Sequence, residues 1–78
     1  MWEFEICLHS VEEVRQFVSF ATVQSFSITV GKGSRWVNGK SFIGMFSLDY
    51  SQPLKVRVQC EREAFEVFRD AAARFWAK

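Results

Sequence analysis

Three stretches of this chain alternate apolar and polar residues with period two, and each alternation has a single apolar face. Trp2, Phe4, Ile6 and Leu8 point one way while Glu3, Glu5 and Cys7 point the other. Phe26, Ile28 and Val30 repeat the pattern, and Leu54, Val56, Val58 and Cys60 do so again, opposite Lys55, Arg57 and Gln59. Such segments are strands that bury one side and wet the other. A short run, Arg35-Trp36-Val37, follows Gly31-Lys32-Gly33-Ser34, so residues 26–37 read as a hairpin with that tetrapeptide as its turn.

Between the strands the period changes. From Ser10 to about Thr22, Val11, Val14, Phe17, Val18 and Ala21 recur at helical spacing. Ser10 and Glu13 form an S-x-x-E capping box, in which each side chain satisfies the other's backbone N–H. Glu61 to Phe75 reads as one last helix, with Ala64, Phe65, Phe68, Ala71, Ala72 and Phe75 as its apolar stripe. The order is β-α-β-β-α-β-α, an α+β chain. One-faced strands and one-striped helices pack economically as a four-stranded antiparallel sheet covered by helices on one side and open to water on the other. On the wet side Glu3 and Glu5 suit positions opposite Lys55 and Arg57, which makes the first and last strands neighbours.

The chain's 78 residues allow one domain, 1–78. Nine Phe and three Trp supply large apolar surfaces for a core without disulfide or metal. Ten basic and nine acidic residues leave a net charge of +1, which gives no basic footprint for nucleic acid. No apolar run reaches membrane-spanning length and no signal-peptide pattern opens the chain, so a cytoplasmic protein without membrane association is expected. Cys7 and Cys60 fall on opposite faces of the expected sheet, too far apart in direction for a disulfide, with Cys60 a small core residue. No metal-ligand spacing, phosphate-cradling glycine loop or nucleophile set is present, so no cofactor or metal is expected.

Val37 to Leu48 is the remaining segment. Asn38-Gly39 is turn chemistry, Ser41 is an N-cap, and Phe42, Ile43, Met45, Phe46 and Leu48 crowd one short helix that should end near Asp49. A helix apolar on nearly every side is either fully buried or shows part of its surface to a partner.

That order of elements, with the run Val37-Asn38-Gly39-Lys40-Ser41-Phe42-Ile43-Gly44-Met45-Phe46-Ser47-Leu48, resembles HPr, the histidine-containing phosphocarrier of the bacterial sugar phosphotransferase system. Gln16-Phe17-Val18 extends the likeness to the first helix. The resemblance implies an open-faced β-sandwich. It also implies a phosphoryl histidine at the start of the first helix, a regulatory serine opening the short helix, and docking of phosphotransferase or catabolite-control proteins on those two helices. The serine falls on Ser41 and the docking residues on Phe42, Ile43 and Phe46.

The family's Gly-Leu-His-Ala-Arg-Pro motif does not match. Its histidine position is Ser10, and its arginine and proline positions are Glu12 and Glu13. A phosphohistidine needs an imidazole, a cation and a free helix N-terminus. Two carboxylates on the first turn already complement the helix dipole and repel a phosphoryl group. The expectation is a non-enzymatic binding and regulatory module. The alternative is an active carrier using His9, the one histidine, which sits one residue before the expected place. Weak self-association through Phe42, Phe46 and Trp36 is a third expectation.

Overall fold

The computed structural model describes residues 1–77. The elements run β1 (Trp2–Ile6), α1 (Val11–Thr22), β2 (Ser27–Lys32), β3 (Arg35–Asn38), α2 (Phe42–Phe46), β4 (Leu54–Gln59) and α3 (Arg62–Ala71), then a 3₁₀ turn over Ala73–Phe75. The four strands form one antiparallel sheet in the order β1-β4-β2-β3. The helices cover one face, giving the expected open-faced α+β architecture.

The register follows from charge and hydropathy together. Glu3 lies opposite Arg57 and Glu5 opposite Lys55. Arg57 donates from Nε to a Glu3 carboxylate oxygen, a half-exposed pair worth about 0.2–1 kcal/mol. On the other side Ile6, Ile28, Val30, Leu54, Val56 and Val58 are buried beneath α1 and α3. Phe17 of α1 meets Phe75 edge-on with ring centroids 5.4 Å apart. Phe68 of α3 stacks on Phe20 at 4.9 Å and takes Phe4 and Phe26 on its edges. Aromatic rings therefore link both long helices to the sheet, the packing that a small domain rich in Phe can use.

Four local expectations change. Gly31 and Lys32 belong to β2, and the turn is only Gly33-Ser34, with Lys32 paired to Arg35. Gly33 has φ +62°, the left-handed start that a two-residue hairpin turn of this hand requires. The last helix is not continuous to Phe75. It ends at Ala71, tightens into the 3₁₀ turn, and brings Trp76 against Ile6 as an antiparallel bridge. There the Cys7 N–H donates to the Phe75 carbonyl at 2.7 Å and the Ala77 N–H to the Glu5 carbonyl at 3.0 Å. This strap covers part of the edge of β1, which would otherwise show unpaired backbone groups. Val11 and Ala71, expected in the apolar stripes, are exposed; they are the first residue of α1 and the last of α3, and the stripes are carried by Val14, Phe17, Val18 and Ala21 and by Phe65 and Phe68. Finally, Cys60 is half-buried beside the core, not fully inside it, and its thiol is pushed up by desolvation with Glu61 adding to the effect. Both cysteines are free.

Candidate functional site

The helix α1 packs against α2 on the covered side of the sheet, with the start of α2 near the end of α1 and the segment after α2 near the start of α1. The start of α1 is closed by its own side chains. Ser10, extended at φ −161°, accepts the Glu13 N–H on its hydroxyl at 3.1 Å. Glu13 returns a bond, but to the His9 N–H at 3.0 Å and not to that of Ser10. The capping box is thus shifted by one residue on its return arm. The two N–H groups are neighbours, and the carboxylate reaches the one at the end of the strand connection. Glu12 stands on the same turn, 3.9 Å from Arg15, with both side chains about two-thirds exposed, so that pair is screened and weak. Replacing Ser10 by alanine should lower stability by about 1 kcal/mol, read as a shift in the urea midpoint with an unchanged slope.

His9 is exposed and opens onto a cavity of about 510 Å³ lined by Leu8, His9, Leu48, Asp49, Tyr50 and Ser51. No arginine or lysine is among these lining residues. The charged neighbour is Asp49. Its carboxyl is held below the usual carboxylate range, first by the Ser51 hydroxyl, then by the Ser51 N–H, with the Lys32 charge helping and burial slightly opposing. The anion therefore persists at the mouth of this cavity at neutral pH.

The short helix begins as the sequence implies. Ser41 is the N-cap, half-buried, and its hydroxyl accepts the Gly44 N–H at 3.1 Å. Lys40 holds the corner before it. Its N–H donates to the Asn38 side chain, and its ammonium reaches the Gln24 carbonyl at 2.7 Å, just past the C-terminal end of α1. The helix stops at Phe46, short of Asp49, because Ser47 turns back and donates its hydroxyl to the Gly44 carbonyl at 2.6 Å. Met45 and Leu48 point into the core and anchor the segment. Ile43, by contrast, is 83 % exposed and Phe46 45 %. Phe42 is half-buried against the core, with its ring 5.1 Å from Phe46.

The structure therefore brings Phe42, Ile43 and Phe46 onto one surface beside the Ser41 cap, and places His9 and Ser10 at the start of α1, where His9 lies near the Asp49–Tyr50 segment that follows α2. It adds a residue that sequence reasoning passed over. Tyr50 continues the row, its ring 6.2 Å from Phe46. The spacing 42, 46, 50 was a signal for it, masked by the loop residues that follow. Trp36, in contrast, lies on the opposite, open face of the sheet. Its indole N–H is bound to the Gly33 carbonyl at 2.8 Å, and the Arg57 guanidinium sits 3.9 Å from its ring.

No family model matches the chain, and no curated protein matches it. Among solved structures it is similar to "Crystal structure of HPr-C-His from Thermoanaerobacter tengcongensis". The identity is 31%, the match covers 90% of this chain and 89% of that one, and the TM-score is 0.71. No helix of the described residues is long and apolar enough to cross a membrane. The strand order, the helix-covered face and the likeness over nine-tenths of the length lead to one conclusion: this chain has the fold of HPr.

Proposed function

We propose that the chain is a divergent member of the HPr family that docks proteins through α1 and α2 and does not carry phosphoryl groups. One observation carries this reading: Glu12 and Glu13 occupy the first turn of α1, and Glu13 is bound into the cap through His9 and Ser10. A phosphoryl group attached beside that turn would meet two carboxylates and a donor already engaged, where transfer chemistry calls for free donors and a cation. The protein is then a binding and regulatory module, not an enzyme. Its partners are proteins of the phosphotransferase or catabolite-control type, which meet Phe42, Ile43 and Phe46.

Ser41 is the regulatory position in this reading. A phosphate there would add roughly −1.5 to −2 of charge beside the exposed apolar row, and so change which partners fit. The second reading, a carrier working through His9, is favoured by the exposure of that imidazole at the mouth of a cavity.

The test is competition. The chain should inhibit phosphorylation of an authentic HPr by the first enzyme of the phosphotransferase system, or by an HPr serine kinase, without itself being consumed as a histidine carrier. Ile43→Asp with Phe46→Asp should remove that inhibition while leaving the circular dichroism spectrum unchanged, because both residues are exposed. Absence of inhibition by the native chain against either enzyme would reject docking of this kind.

A further inference from the structure

The open face of the sheet, away from the helices, gathers cations around an aromatic ring. A cavity of about 380 Å³ opens there, lined by Lys55 and Arg57 of β4, Trp36 of β3, Lys32 and Gly33 at the end of the hairpin, and Pro53 just before β4. Strand register explains the gathering. Gly31 pairs with Trp36 on one side and Lys55 on the other, and the indole leans over it toward β4. There the Arg57 guanidinium sits 3.9 Å from the ring, and its Nε donates to a Glu3 carboxylate oxygen. Ring and carboxylate fix the guanidinium, while its terminal nitrogens donate to no acceptor among the described residues. Glu5, the carboxylate that lines the cavity, faces Lys55 in the register but forms no ion pair with it. Lys32 is held by the neutral Gln52 side chain and also borders the hollow that contains Asp49. The charge least compensated in this cavity is therefore that of Lys55.

We infer that this hollow binds a small organic oxyanion, a phosphate or carboxylate carried on a flat ring. The oxyanion takes the Lys55 ammonium and the terminal N–H groups of Arg57. A guanidinium already held in place presents its donors to two oxygens at once and loses little freedom on binding. The flat ring lies against the indole of Trp36 and the ring of Pro53, which supply apolar surface beside the charge. The cavity has the size that such ligands fill. The site lies on the face turned away from α1 and α2, so it does not depend on the docking reading.

Four small probes test this on the isotope-labelled full chain: adenosine monophosphate, benzoate, adenosine and inorganic phosphate. The signals followed are the Trp36 indole N–H and the backbone amides of Gly33, Lys55 and Arg57. Adenosine monophosphate or benzoate should shift them saturably, and the tighter of the two tells a phosphate ligand from a carboxylate one. Adenosine and inorganic phosphate should each bind at least about tenfold more weakly than that probe, because each lacks half of the ligand. Binding should weaken as salt is raised. Lys55→Gln, an exposed change that leaves the circular dichroism spectrum intact, should weaken the tighter probe about tenfold. Arg15→Gln, on the helical side, should leave it unchanged. No saturable shift with either ring-bearing anion overturns the inference. So does adenosine or phosphate binding as tightly as the combined probe, or a Lys55→Gln chain that binds as the native one does. Each of these results leaves the docking reading standing.

Discussion

Phe17→Ala should destabilise the fold by about 3–5 kcal/mol, a large part of the total stability of a domain this size. Phe17 is fully buried on α1 and packs edge-on against Phe75. Its removal opens a cavity between the first helix and the C-terminal strap, whose Phe75 carbonyl accepts the Cys7 N–H. The effect would thus reach the edge of β1 as well as the helix that presents His9 and Ser10. A urea series should show a lower midpoint with little change in slope. Ile43→Ala provides the contrast. Its side chain is 83 % exposed, so the stability change should stay within about 0.5 kcal/mol even though the docking row is altered. Equal losses for the two variants would mean that α2 is packed more deeply than described.

Gly31→Ala should be nearly as damaging, at about 3 kcal/mol. Gly31 sits inside the sheet, opposite Trp36 on β3 and Lys55 on β4. A Cβ built there falls 2.2 Å from the Arg35 carbonyl oxygen, 2.7 Å from the Trp36 ring and 2.9 Å from the Trp36 Cα. Two of these atoms are backbone, so the hairpin has to open to admit a methyl group. The indole lies close over Gly31, pinned by the Gly33 carbonyl and capped by Arg57. The open face therefore carries a tryptophan that completes the sheet where a glycine leaves it bare. A loss under about 1 kcal/mol in chemical denaturation would show that β2 and β3 separate more freely than their pairing implies.

Much of this was legible before any coordinates. Period two assigned each strand residue to a face, and the facing of Glu3 and Glu5 by Arg57 and Lys55 then chose β4 as the neighbour of β1. The Ser10 and Glu13 pair marked the start of α1 because its signal lies within four residues. The shift of Glu13 to the His9 N–H was not legible, since two adjacent donors are equivalent in sequence. Gly31 looked like part of a turn, because nothing local says that a glycine in a strand is there for a tryptophan across the hairpin. The break after Ala71 was hidden for a similar reason. Ala72 and Ala73 are good helix formers, and the helix stops there because Phe75 and Trp76 find tertiary partners on β1 and Phe17. Tyr50 was concealed by the Ser51-Gln52-Pro53 run that follows it.

The acidic first turn of α1 is the feature on which the functional reading depends, and phosphoryl uptake tests it most directly. The native chain, incubated with phosphoenolpyruvate and the first enzyme of the phosphotransferase system, is weighed intact beside a His9→Ala variant. Both should keep their unmodified mass, because Glu12 and Glu13 hold the place where a transferred phosphoryl group needs positive charge. An acid-labile gain of one phosphate on the native chain, absent from His9→Ala, would contradict this and make the protein a carrier.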